Sequence, residues 1–125
     1  ISEEPVMGRV HFTRHHGQQV LLVDLSHCRA EEVSNIVGAV QRIVTAQPRK
    51  SVLILSDLTG AHFSRDSVTR IKEVAVFDRP YVKKSAMVGA ESLPEVFYKA
   101  LKTFSQREFP RFKTREDALE WLVQE

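Results

Sequence analysis

The chain reads as an α/β domain: a single-layer, mixed but mostly parallel sheet of four to five strands flanked by about four helices. Three observations predict it. Short continuous apolar runs at residues 20–25 and 52–55 mark strands buried on both faces. Stretches with apolar residues at helical spacing alternate with those runs, which calls for crossover connections between parallel strands. Glycine, proline and polar clusters separate the pieces.

The elements follow in order. Residues 9–14 alternate polar and apolar, the period of a half-buried strand. His15, His16, Gly17 and Gln18 make a turn, so this strand and residues 20–25 form an opening hairpin. Val33, Ile36, Val37, Val40, Ile43 and Val44 lie on one stripe of a helix over about 29–46, stopped by Gln47-Pro48. Residues 51–57 make a second buried strand. A helix over about 64–77 turns Val68, Ile71, Val74 and Ala75 inward and ends at Arg79-Pro80. Residues 85–89 are a short strand ending in glycine. Ser92 and Glu95 read as a capping box for a helix carrying Phe97, Ala100, Leu101 and Phe104. Residues 109–112 are extended. Thr114 caps a last helix with Ala118, Leu119 and Leu122 inward and Trp121 at its edge.

With 125 residues, 42% hydrophobic and 27% charged, the composition is that of one globular domain, 1–125, with 1–7 as a loose lead-in. No window supplies the ~18 consecutive apolar residues of a membrane span. Cys28 is the single cysteine, which excludes an internal disulfide and fits a reducing cytoplasm. The net charge of +2 hides a basic stretch over residues 79–115. No recognition-helix or aromatic RNA-binding signature accompanies it, so nucleic acid is not expected as a partner.

Three stretches then point to a family: Leu53-Ile54-Leu55-Ser56-Asp57-Leu58-Thr59-Gly60, Lys84-Ser85-Ala86-Met87-Val88-Gly89, and the ending from Phe112 to Leu122 with Thr114-Arg115-Glu116-Asp117 and Trp121. Together, over roughly residues 9–123, they resemble the SpoIIAA-like family, the STAS/SEC14-domain proteins that include anti-sigma-factor antagonists. The resemblance implies a regulatory module of the bacterial cytoplasm that binds a protein, such as a partner kinase, and is switched by phosphorylation of a serine at a helix start. Asp57-Leu58-Thr59-Gly60 matches the first half of the family's Asp-Leu-Ser-Gly…Asp-Ser-Ser-Gly pattern. Asp66-Ser67 matches the second half with one extra residue between, which puts Val68 at the phosphoserine position and Thr69 where glycine belongs. The SEC14 side of the family implies a lipid or other small apolar ligand.

The loop over 57–67 is the first candidate site. Asp57, Thr59, Gly60, His62, Ser64, Asp66 and Ser67 stand there beside a helix N-terminus, whose free N–H groups favour a phosphate or other anion. Ser64 as a simple cap is the competing assignment. The second candidate is an apolar groove between the helices at 64–77 and 93–104, with Phe63, Phe77, Phe97 and Phe104 as lining; ordinary core is its alternative. Asp24 and Asp57 stand at neighbouring strand ends, as a metal or acid–base pair or as loop caps. His15 and His16 are expected to point apart, as neighbours on a strand do, so no metal is expected. No nucleotide loop or nucleophile elbow occurs, so neither a cofactor nor catalysis is expected. A homodimer through a sheet edge or helix face is compatible with this reading.

Overall fold

A computed structural model describes residues 8–124. The expected lead-in at 1–7 lies outside the described residues. The elements are β1 (Val10–His15), β2 (Gln18–Asp24), α1 (Ala30–Val44), β3 (Val52–Asp57), α2 (Arg65–Asp78), β4 (Val82–Val88), a 3-10 turn (Ala90–Ser92), α3 (Glu95–Ser105), β5 (Arg111–Phe112) and α4 (Arg115–Val123). They build one five-stranded sheet in the order β1-β2-β3-β4-β5. β1 runs antiparallel to β2, and each later pair is parallel. The expected mixed, mostly parallel sheet and four flanking helices are therefore present.

The strand order explains the layers. When sequential strands lie side by side and every crossover has the same hand, the connecting helices fall on one face. α1, α2 and α3 do so, packing Val33, Ile36, Val40, Ala75 and Leu101 against Leu21, Val23 and Ile54. α4 follows the last strand and is free to cover the other face, where Ala118 and Leu122 meet Val20, Leu53, Leu55 and Val88. Alternate residues of β2 and β3 thus feed opposite cores, which is why those strands read as unbroken apolar runs.

Three local expectations change. β4 begins at Val82, ahead of the expected start at 85. Its lysine-rich start hid it: the Lys84 ammonium donates to the carbonyls of Trp121 and Gln124 at 2.9 and 2.8 Å and lies 4.5 Å from the Trp121 ring centroid. Ser92 does not cap α3, whose N-cap is Pro94. The Ser92 hydroxyl instead accepts from the Gly60 N–H at 2.9 Å. Finally, His15 and His16 do not point apart. His15 pairs with Gln18, leaving His16 and Gly17 as a two-residue turn with φ of 50° and 78°. Both residues are left-handed, as a tight hairpin turn of right-handed strands requires. That swing brings the two imidazoles together, tilted at 59° with centroids 4.4 Å apart.

Candidate functional site

The loops after β2 and β3 leave the carboxyl ends of neighbouring parallel strands, where sheets of this kind present their sites. Asp24 and Asp57 are direct register partners there. Each carboxylate first closes its own loop. Asp24 Oδ1 accepts from the Ser26 N–H and hydroxyl at 3.0 and 2.6 Å. Asp57 Oδ1 accepts from the Thr59 N–H and hydroxyl at 3.0 and 2.7 Å. These are the local side-chain turns that aspartate favours over continued strand. The backbone stays zipped past the strand ends: Leu25 N–H donates to Asp57 O and His27 N–H to Thr59 O, both at 2.8 Å.

The second oxygen of Asp57 receives Arg115 from the first turn of α4, Nε and Nη2 both at 2.8 Å. Arg115 Nη2 also reaches Asp24 Oδ1 at 3.5 Å, and Arg9 stands 3.8 Å from the same oxygen. The two aspartates are thus joined by a guanidinium rather than poised as a free acid–base pair. Burial works to raise the Asp57 carboxyl, but the bonds from Thr59 and Arg115 outweigh it and hold the group below the ordinary aspartate range. Arg115 escaped the sequence reading as a site residue because it lies 58 positions from Asp57. Its place directly after a helix cap was the available signal.

Two glycines let the loops touch. Gly60 has φ of 67°, and a Cβ there would collide with the His27 ring. Gly89 has φ of 70°, and a Cβ there would meet the Thr59 backbone, 2.6 Å from N and 2.7 Å from Cα. Gly89→Ala is therefore expected to cost about 2 kcal/mol from the left-handed penalty and the displaced loop. A urea-denaturation midpoint unchanged from wild type would refute that packing account.

The loop over 57–67 brings its polar residues to one rim but not to one chemistry. Thr59, His62, Ser64 and Asp66 are exposed, while Asp57 is buried. Ser67 is fully buried at 0% exposure; it and Ser64 cap α2 reciprocally, with bonds of 2.8 and 3.1 Å. Val68, the position that the family pattern assigns to phosphoserine, is in the core. Among the described residues His62, Ser64 and Asp66 share no side-chain hydrogen bond with one another. Cys28 is buried as well, and burial pushes its thiol up, away from a reactive thiolate.

The four phenylalanines do not share a groove. Phe77 and Phe104 are 59% and 57% exposed, and Phe97 packs partly buried against the core. Phe63 alone of the four lines the interior cleft between the sheet and the three helices, whose volume is about 80 Å³. The polar residues lining that cleft are Ser56, Asp78, Ser85 and Arg107. Arg107 donates to Ala75 O at 3.0 Å and Ser85 Oγ at 2.6 Å. Asp78 Oδ1 is buried without a hydrogen-bond partner. Burial pushes the Asp78 carboxyl up to about 7 against the opposing pull of the Arg107 charge, and burial also brings Arg107 down to about 10. Asp78 was missed at the end of a helix, although it continues the apolar stripe of Ile71, Val74 and Ala75 at helical spacing.

No protein-family model and no curated protein matches the chain. Several solved structures share its architecture. One is an uncharacterized protein of the DUF3478 family with a SpoIIAA-like fold from Shewanella loihica, at 18% identity, TM-score 0.70, covering 91% of this chain and 92% of that one. Another is an anti-sigma-factor antagonist (STAS) domain protein from Planctomyces limnophilus, at 17% identity, TM-score 0.59, covering 92% and 98%. The fold is SpoIIAA-like. In this SpoIIAA-like domain the basic stretch is largely spent within the molecule. Arg107 is half-buried and bonded to Ala75 O and Ser85 Oγ, Arg111 pairs with Glu95 at 2.9 Å, Arg115 with Asp57, and Lys102 with Glu108 at 3.4 Å. No helix among the described residues is long and apolar enough to cross a membrane.

Proposed function

We propose that the chain is a non-catalytic regulatory module that binds a protein through the rim at residues 57–67, with phosphorylation of Thr59 or Ser64 as its switch. One observation carries the reading: a loop hydrogen-bonded from beneath, with the Thr59 hydroxyl bonded to Asp57, exposes Thr59, His62, Ser64 and Asp66 along one rim. A rigid polar rim lowers the ordering cost of docking a partner. The fold shared with an anti-sigma-factor antagonist supports the same reading. A phosphate on Ser64 would lie at the N-terminus of α2, where negative charge is favoured. The carrier alternative asks for an apolar pocket of ~300 Å³ or more; the apolar interior cleft holds about 80 Å³, and the surface clefts of about 580 and 510 Å³ are lined in good part by charged residues.

The test places a photo-crosslinking residue at His62, or at Lys50 as a control beyond the opposite end of β3, in the full protein within its own host. A discrete protein adduct is expected from His62 and not from Lys50, with phosphate mapping to Thr59 or Ser64. Equal adducts from both positions would overturn the docking face. Phosphate confined to other residues would overturn the switch, and a retained apolar small molecule without an adduct would favour the carrier.

A further inference from the structure

At the other end of the sheet from that rim, the β1–β2 hairpin tip meets α4. His15 Nε2 and His16 Nε2 converge on one oxygen, Oε2 of Glu120, at 2.6 and 2.7 Å. Among the described residues this is the one group of three metal-ligating side chains whose donor atoms lie together, all within 4.8 Å of one another. We propose that His15, His16 and Glu120 form a binding site for a divalent transition metal of the zinc class.

The argument starts from the turn. Histidines adjacent on a strand would face opposite sides. The left-handed His16-Gly17 turn cancels that alternation and puts both rings on one side. The hairpin is fastened to α4 independently of the cluster, because Gln18 Nε2 donates to Val123 O at 2.9 Å. The two halves of the site, 104 and 105 residues apart in sequence, are therefore held together by the fold itself.

The donor set selects the ion. Two imidazole nitrogens and a carboxylate oxygen suit Zn²⁺, Ni²⁺ or Cu²⁺, whereas Mg²⁺ and Ca²⁺ prefer oxygen alone. Two histidines with one glutamate supply three protein ligands and leave the fourth tetrahedral position to water. Zn²⁺ bonds of ~2.0–2.2 Å place tetrahedral donors roughly 3.3 Å apart. The present separations of 2.6 and 2.7 Å need to open only slightly. His16 and Glu120, at 63% and 53% exposure, are free to make that adjustment. Each histidine then carries its proton on Nδ1 and offers the Nε2 lone pair to the metal. Glutamate's charge offsets part of the ion's own.

Zn²⁺ titrated into the full chain by calorimetry is the test. One ion per chain with a Kd in the micromolar range or below is expected, and no saturable signal with Mg²⁺. His16→Asn keeps a residue that accepts the left-handed turn while removing the imidazole. It and Glu120→Gln are each expected to weaken Zn²⁺ binding at least about tenfold. At a hundredfold excess of Zn²⁺ over Kd, the wild-type Tm is expected to rise by roughly 10 °C. Absence of saturable Zn²⁺ binding overturns the site, as do variants that bind within twofold of wild type. Should His16→Asn fail to fold by circular dichroism, Glu120→Gln, on the exposed face of α4, decides alone.

Discussion

Replacing Asp78 with asparagine is expected to stabilise the protein by up to about 4 kcal/mol at pH 8 and to flatten its pH dependence. The carboxyl is buried, one oxygen has no hydrogen-bond partner, and its folded-state pKa is raised from 3.8 to about 7. A raised pKa means that the folded chain holds the proton more tightly than the unfolded chain. The stability linked to that proton is complete below about pH 4 and is lost as pH rises towards 7. One group of this kind contributes a slope of about 1.4 kcal/mol per pH unit across that window. Asparagine keeps the shape and has nothing to ionise. Arg107 retains its bonds to Ala75 O and Ser85 Oγ in the variant. Urea melts of both proteins at pH 5 and pH 8 measure the effect. Parallel losses in the two proteins would show that Asp78 is ionised and accommodated throughout.

Arg115→Ala is expected to cost about 2–3 kcal/mol at pH 7, despite changing a residue on the rim of the structure. Removing the guanidinium leaves the Asp57 carboxylate buried with its second oxygen unpartnered, and the penalty falls on the group left behind. The side chain of Arg115 is 37% exposed, so water screens part of the interaction and keeps the cost below that of a fully buried pair. The pH signature is opposite to that of Asp78. Asp57 is depressed, so its contribution is present above the ordinary aspartate pKa and is lost as pH falls through its lower folded value. The alanine variant should therefore lose its excess instability in acid. Asp57→Asn supplies the double-mutant cycle, in which the two losses should be strongly non-additive. Additive losses, or an Arg115→Ala cost under ~0.5 kcal/mol, would mean that the bridge does not hold the loops together.

Both effects rest on groups that sequence patterns identify poorly. Val33, Val40 and Ala75 announce themselves as core because burial of a helix stripe recurs every three to four residues. Asp78 lies on the same periodic stripe yet reads as a helix terminus because it is charged. Asp57 was legible as a strand-end aspartate next to Thr59 and Gly60, and its loop-closing bonds are local. Its partner on α4 was not legible, since nothing local relates Arg115 to a carboxylate 58 positions earlier. Ser67 shows the converse limit. It stands in the expected loop, but the capping exchange with Ser64 turns it fully inward.

The sequence by itself determined the architecture of this protein: which runs become strands, which stripes become helices, and that the sheet is mixed and mostly parallel. These properties follow from periodic burial and from turn residues, both read within a few positions of the chain. Only the tertiary structure decided that Arg115 joins Asp24 to Asp57, that Asp78 and Arg107 line one interior cleft, and that Glu120 meets His15 and His16. Each of those contacts joins distant elements or depends on a backbone turn that reverses the expected direction of a side chain. Side-chain chemistry carries no record of such a partner until strand order and crossover hand have brought the two together.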